Sequence, residues 1–195
     1  MTQWVALLRG INVGGVSIKS AELAGTFKDA GFEGVKTVLA TGNVLFGAAE
    51  EAGDALAAAA LRARIEALLS ERFGYEARVV LEPRERIGAL VEGYPYAEST
   101  AHHAYVVFGS DPEALAALLD DAAGRGIAVD GAEASGATGV PVAEGAERVC
   151  AGEGVLYWAC PRGSSTDTPF SKLTAAARHK PSLTTRNLNT VRKLA

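Results

Sequence analysis

Cysteine, histidine and methionine are scarce in this chain. Its 195 residues include 2 Cys, 3 His and 1 Met. A structural zinc site takes four Cys or His ligands at tight spacings, and Cys150, Cys160, His102, His103 and His179 form no such set. Both cysteines fall in strand-like runs. Free, partly buried thiols are expected there, since a disulfide would be unusual in a reducing cytosol. Long apolar runs are missing too. No stretch approaches the roughly 20 apolar residues that span a bilayer. The first strand begins within a few residues of Met1, leaving no room for a basic region, an apolar core and a cleavage site. The expectation is a cytoplasmic protein with no membrane span. Aromatic residues are 7% of the chain, too few in the strands for a base-stacking platform.

What is present is a core-forming composition, 48% hydrophobic and 22% charged, which suits a globular protein. The net charge is −4. From residue 168 onward there are six cations (Lys172, Arg178, Lys180, Arg186, Arg192, Lys193) and no acid, so the rest of the chain carries 13 cations against 23 acids. A basic tail on an acidic body argues against broad nucleic-acid coating and for a local anion site. Cations that merely suit the dipole of a terminal helix are an equal alternative.

In order, residues 3–9 read as a nearly continuous apolar strand, followed by a glycine turn. Ser20 is placed to cap a helix through Leu23, Ala24, Phe27 and Ala30, and Gly31 to end it in a left-handed cap. Residues 35–39 and 44–46 read as an antiparallel hairpin around Thr41-Gly42-Asn43. A long helix spans about 54–73, with Leu61, Ile65, Leu68 and Leu69 in one stripe, and Gly74 ends it. A fourth strand follows around 77–81, and Pro83 is placed to start a short helix. This β-α-β-β-α-β order is the split βαβ, or ferredoxin-like, unit.

A second cycle follows. It has a strand at 104–108, and a capping box Ser110-Asp111-Pro112-Glu113 opens a helix that stops at Gly124. A short strand lies at 127–129, and residues 130–146 form a Gly/Ala-rich insert without periodicity. A hairpin of 148–151 and 155–160 comes next, then a helix at 170–178. Thr184-Thr185-Arg186-Asn187 reads as the start of a basic C-terminal helix. The fold class expected is α/β (α+β): two ferredoxin-like halves, 1–98 and 99–195, in pseudo-duplication and packed as one body, the second lacking its last strand.

Four separated motifs carry a resemblance: Leu7-Leu8-Arg9-Gly10-Ile11-Asn12-Val13-Gly14-Gly15, Thr41-Gly42-Asn43-Val44-Leu45-Phe46, Ser171-Lys172-Leu173 and Thr185-Arg186-Asn187-Leu188-Asn189-Thr190-Val191. In this order, over nearly the whole chain, they resemble the bacterial family catalogued as domain of unknown function 1697. The resemblance implies two ferredoxin-like subdomains and brings no reaction. Thr41 stands where relatives usually carry serine, and Leu188 where an aromatic is usual.

For function, the glycine turn matches neither the P-loop nor the dinucleotide pattern. Arg9 ends a buried strand and must find a salt-bridge partner or reach solvent at a site. Asn43 is placed to supply the positive φ of a hairpin turn. As a set, Arg9, Asn12, Gly14, Gly15, Asn43, Lys172, Arg186 and Asn187 gather beside turns or at an expected helix start. They are the candidate ligand-binding residues, with Arg9 and Arg186 holding charge and Asn12, Asn43 and Asn187 orienting it. If strands one and three are antiparallel neighbours, Asn12 falls near Asn43. No serine–histidine–aspartate arrangement is legible, and His102-His103 read as surface residues before a strand. The expected partner is a small anionic, phosphate- or nucleotide-like ligand, without cofactor or metal. RNA binding and a protein-assembly role are the alternatives, and oligomeric state is open.

Overall fold

Seven residues of nearly unbroken apolar character make β1 (Thr2–Leu8), which is buried from Trp4 to Leu8. The structure is a computed structural model and describes residues 1–11, 16–39, 42–131, 138–163 and 165–195. The chain divides into two compact units, Met1–Ile87 with Lys193–Ala195, and Gly88–Arg192. Architecture is mixed α/β, with two sheets and, among the described residues, six α-helices. No described helix is long and apolar enough to cross a membrane.

In the first unit β1 leads to α1 (Ser20–Asp29), β2 (Glu33–Thr37), β3 (Asn43–Ala48), α2 (Ala55–Phe73) and β4 (Val79–Pro83), and α3 (Arg84–Glu92) carries the chain onward. The sheet order is β2-β3-β1-β4 with every neighbouring pair antiparallel. α2 forms because its ends are well chosen. Asp54 accepts from the backbone N–H groups of Leu56 and Ala57, Gly74 closes the helix at φ 66°, and Leu61, Ile65 and Leu69 bury one stripe. That stripe and Phe27 of α1 cover Trp4, Ala6 and Leu8. Phe46 meets Phe27 and Phe32 edge-on, with ring centroids 5.3 and 4.9 Å apart. This is the pairing that aromatic quadrupoles favour.

The second unit contains β5 (His102–Gly109), α4 (Pro112–Gly124), β6 (Val129–Asp130), β7 (Arg148–Ala151), β8 (Val155–Pro161), α5 (Pro169–Thr174), β9 (Leu183–Asn187) and α6 (Leu188–Arg192). The order is β6-β7-β8-β5-β9, with β6 and β7 parallel and the other pairs antiparallel. Trp158 anchors the core. It stacks on Tyr105 at 4.9 Å and meets Phe170 edge-on. Its indole N–H donates to Glu147, whose other oxygen accepts from the Phe170 backbone at 3.0 Å. Cys150 and Cys160 are free and buried, and burial pushes both thiols up, Cys160 to about 11.

Several expectations change. Thr184 to Asn187 do not start a helix; they lie in β9, paired with β5 from Leu183↔Gly109 to Asn187↔Tyr105. Two successive β-branched threonines favour the extended chain, and the edge of β5 gives them a partner. The second half therefore does have its last strand, and the terminal helix shrinks to five residues. α5 stops at Thr174 rather than reaching Arg178. Lys19, not Ser20, precedes α1 and makes no side-chain cap. Asp111, not Ser110, caps α4, accepting from Ala114 N at 2.8 Å. Pro83 is the last residue of β4, and the short helix expected there begins at the next residue, Arg84. His102 and His103 belong to β5, and His102 is buried.

Glu82 on β4 gives this unit a pH dependence. It sits opposite Val5 of β1, 5% exposed, and its Oε2 accepts from Arg86 at 2.7 Å. Burial pushes its pKa up from 4.5 to about 7, with the Arg86 charge pulling the other way. Its folded pKa lies above its unfolded one, so between these values the folded state holds more protons and stability falls as pH rises. Above the folded pKa the cost is constant, on the order of 3 kcal/mol. Urea unfolding from pH 4 to 8 is expected to show this decline in the parent. In Glu82→Gln the decline should be largely gone.

Candidate functional site

β1 runs against β3 on one side and β4 on the other, both antiparallel. Its C-terminal end therefore meets the beginnings of both neighbours. Leu8 N–H donates to the Gly42 carbonyl at 2.8 Å, and Arg9 N–H to the Arg78 carbonyl at 2.9 Å. One sheet end thus collects the backbone of Arg9, Gly42, Asn43 and Arg78. The antiparallel neighbourhood of the first and third strands is as the sequence indicates, Leu7 facing Asn43. Asn12, Gly14, Gly15 and Thr41 lie outside the described residues.

Arg9 is half-buried, and burial pushes its guanidinium pKa down, with the like charge of Arg78 acting in the same direction. Among the described residues Arg9 has no carboxylate within ion-pair distance. Arg78 is better served, with Glu76 in close contact and Glu66 at 3.9 Å. Glu66 also accepts from Val79 N–H at 2.9 Å, so it fixes the start of β4 as well as the charge beside it. An arginine stays protonated under physiological conditions. Half-burial beside a second cation leaves a charge that a bound anion would stabilise.

The turn facing Arg9 is under conformational demand. Asn43 is fully buried and lies in β3, and its amide donates to the Val38 carbonyl at 2.9 Å. It does not supply the positive φ. Among the described residues that falls to Gly42 (φ 73°) and Leu39 (φ 59°). A short strand-to-strand connection needs left-handed residues somewhere, and Asn43 is committed to the ladder, where its side chain ties the turn closed. Leu39 is 46% exposed, so no burial of its side chain compensates for a conformation that costs a non-glycine residue ~1–3 kcal/mol. Gly42 is required for space as well as for φ. A Cβ there would stand 2.8 Å from Ile11 Cδ1 and 3.1 Å from Leu8 Cβ.

The remaining candidates belong to the second unit. Arg186 Nη1 donates to Thr184 Oγ1 at 2.6 Å and to the Thr185 carbonyl at 3.0 Å, both on its own strand. Asn187 Oδ1 accepts from Asn189 N–H at 2.9 Å, closing the step from β9 into α6. Lys172 is exposed on α5. Arg9 and Asn43 are thus brought to one sheet end of their unit, whereas Arg186, Asn187 and Lys172 are placed in the other unit, with Arg186 and Asn187 engaged locally. Sequence reasoning missed Arg78. The signal was available in its position just before a strand that pairs with β1, but using it required knowing that β4 is the neighbour.

Gly42→Ala tests the tightness of this corner. It combines a positive φ worth ~1 kcal/mol with overlap against Ile11. The mutant should lose roughly 2–4 kcal/mol in denaturant unfolding.

The solved structure of a conserved bacterial protein from Streptococcus pneumoniae is similar to this chain, with a TM-score of 0.71 and 21% identity, covering 100% of this chain and 96% of that one. At that identity the likeness speaks for the fold alone. No curated protein matches the chain. The family described as protein of unknown function (DUF1697) matches residues 1–133, well over half the length. On that match the chain belongs to the DUF1697 family.

Proposed function

We propose that this is a cytoplasmic protein that binds a small anionic ligand, phosphate- or nucleotide-like, at the end of β1. The observation that carries the reading is Arg9, a half-buried guanidinium beside a second cation and without a carboxylate among the described residues. Left-handed backbone at Leu39 supports it, because strained positions collect at ligand sites. Arg9 supplies charge and two-pronged donors. Asn12, Gly14 and Gly15 complete the set on sequence grounds, as backbone and amide donors of the glycine turn. Asn43 holds the turn in place. The buried free thiols of Cys150 and Cys160 fit a reducing compartment.

The strand order β2-β3-β1-β4 also supports reading the first unit as ferredoxin-like, its two helices joining strands as in the split βαβ motif. The same reading of the second unit takes β5, β7, β8 and β9 as its four strands, in the corresponding order β7-β8-β5-β9, with the two-residue β6 added at the edge.

A thermal-shift screen with inorganic phosphate, nucleoside phosphates and sugar phosphates tests the function, with Arg9→Gln alongside. A ligand at about 100 times its Kd adds ~2.7 kcal/mol of stability, visible as a rise in Tm. The expected result is a rise in the parent that is lost in a folded Arg9→Gln protein, whose own Tm stays within a few degrees of the parent. A shift that survives in Arg9→Gln would move the site elsewhere. A large loss of Tm in that variant without any ligand effect would make Arg9 a structural residue.

A further inference from the structure

A small cleft of about 60 Å³ opens in the second unit, and Ser99, His102, His103, Arg162, Asn187 and Asn189 are among its lining residues. His102 is 7% exposed, and each ring nitrogen has a partner. Nε2 lies 3.0 Å from the Ala146 carbonyl, and Nδ1 lies 3.2 Å from Ser99 Oγ. A carbonyl oxygen only accepts, so Nε2 carries the proton. In the neutral ring Nδ1 is then an acceptor, and Ser99 must donate to it. Ser99 Oγ also accepts from the Ala101 backbone at 3.3 Å, which helps hold its orientation. A hydroxyl whose proton points at a base, with the far nitrogen of that base fixed by a third group, is how serine nucleophiles are activated. Ser99 is exposed, so its oxygen is within reach of a substrate.

The other walls supply mostly donors. Asn187 Oδ1 already accepts from Asn189 N–H, and Asn189 Oδ1 from Arg192 at 2.7 Å, so each amide has its NH2 group left to offer. Arg162 contributes an exposed guanidinium. Burial and the charge of Arg162 both push the His103 pKa down, leaving a neutral ring at physiological pH. Glu98, a carboxylate on the same wall, is occupied by a two-pronged pair with Arg192. A negative charge developing on a substrate oxygen would therefore meet hydrogen-bond donors and a cation.

The geometry points to Ser99 as the nucleophile and His102 as the general base of an acyl-transfer site. Its substrate would be a small ester or thioester bearing a carboxylate or phosphate. Ser99 Oγ bonds to the carbonyl carbon as its proton passes to His102 Nδ1. The carbon–oxygen or carbon–sulfur bond then breaks, and that proton leaves with the alcohol or thiol. Water, deprotonated by the same nitrogen, releases the acid and restores the serine. This site shares no residue with the anion-binding corner proposed at Arg9, and either reading can fail alone.

The test is labelling of the full chain with an alkyl fluorophosphonate, followed by intact mass and peptide mapping. The probe forms an Oγ–P bond and expels fluoride. A single adduct on Ser99 is expected, absent in Ser99→Ala, a change at an exposed position. Removing a general base costs on the order of 100-fold, so His102→Gln should label that much more slowly. Should the buried His102 variant fail to fold, the parent is compared with its own chain unfolded in urea, where Ser99 has no positioned base and should label far more slowly. No adduct, an adduct on another residue, or Ser99 labelling as fast in the unfolded chain as in the folded one would overturn the assignment.

Discussion

β1 bonds to β3 through pairs ending at Leu7↔Asn43 and to β4 through pairs ending at Leu8↔Val79, and both neighbours run antiparallel to it. Two consequences follow from that one arrangement. The core of the first unit is built outward from β1, since Trp4, Ala6 and Leu8 supply the surface on which Phe27, Phe46, Leu61 and Ile65 pack. The beginnings of β3 and β4 also converge where β1 ends, so Arg9 meets Arg78 on one side and the Gly42 turn on the other. A sheet that buries a strand on both edges leaves its terminal side chain few directions in which to go. Here that side chain is a cation.

Burial of a cation next to another cation is unfavourable unless something negative is supplied. The protein supplies carboxylates to Arg78, through Glu76 and Glu66, and none to Arg9 among the described residues. It keeps Leu39 in a left-handed conformation on an exposed turn, where glycine or asparagine would be less strained. Marginally stable proteins retain such costs where function needs them, which is why the two observations point to the same corner. Buried Glu82, further along β4, is a cost of a different kind. It has a partner in Arg86, so it shapes the response to pH without needing a ligand.

The parts of the fold legible in the sequence are those decided locally. α2 announces itself through Asp54, Gly74 and a stripe of leucine and isoleucine four residues apart; the β7–β8 hairpin does so through its glycine turn. Local chemistry failed where two outcomes were equally well written. Thr184-Thr185 can cap a helix or extend a strand, and the edge of β5, some 80 residues earlier, decides between them. Asn43 is ambiguous for a similar reason: turn residues share a vocabulary, and only the register places it in the ladder, opposite Leu7. At the candidate site Arg9 was readable as a charge ending an apolar run. Arg78 was not, because its nearness depends on pairing across the sheet. His102 is not legible as buried, because a pair of histidines before an apolar run looks exposed and the Ala146 carbonyl that meets its ring lies 44 residues further on.

The central claim is that the Arg9 guanidinium awaits an anion. Anomalous diffraction from crystals soaked in tungstate, a heavy phosphate-like oxyanion, addresses it directly. The account predicts a tungsten peak within hydrogen-bond reach of Arg9, lost in crystals of Arg9→Gln. A carboxylate of the chain itself paired with Arg9, and no tungsten there while other sites fill, would contradict it.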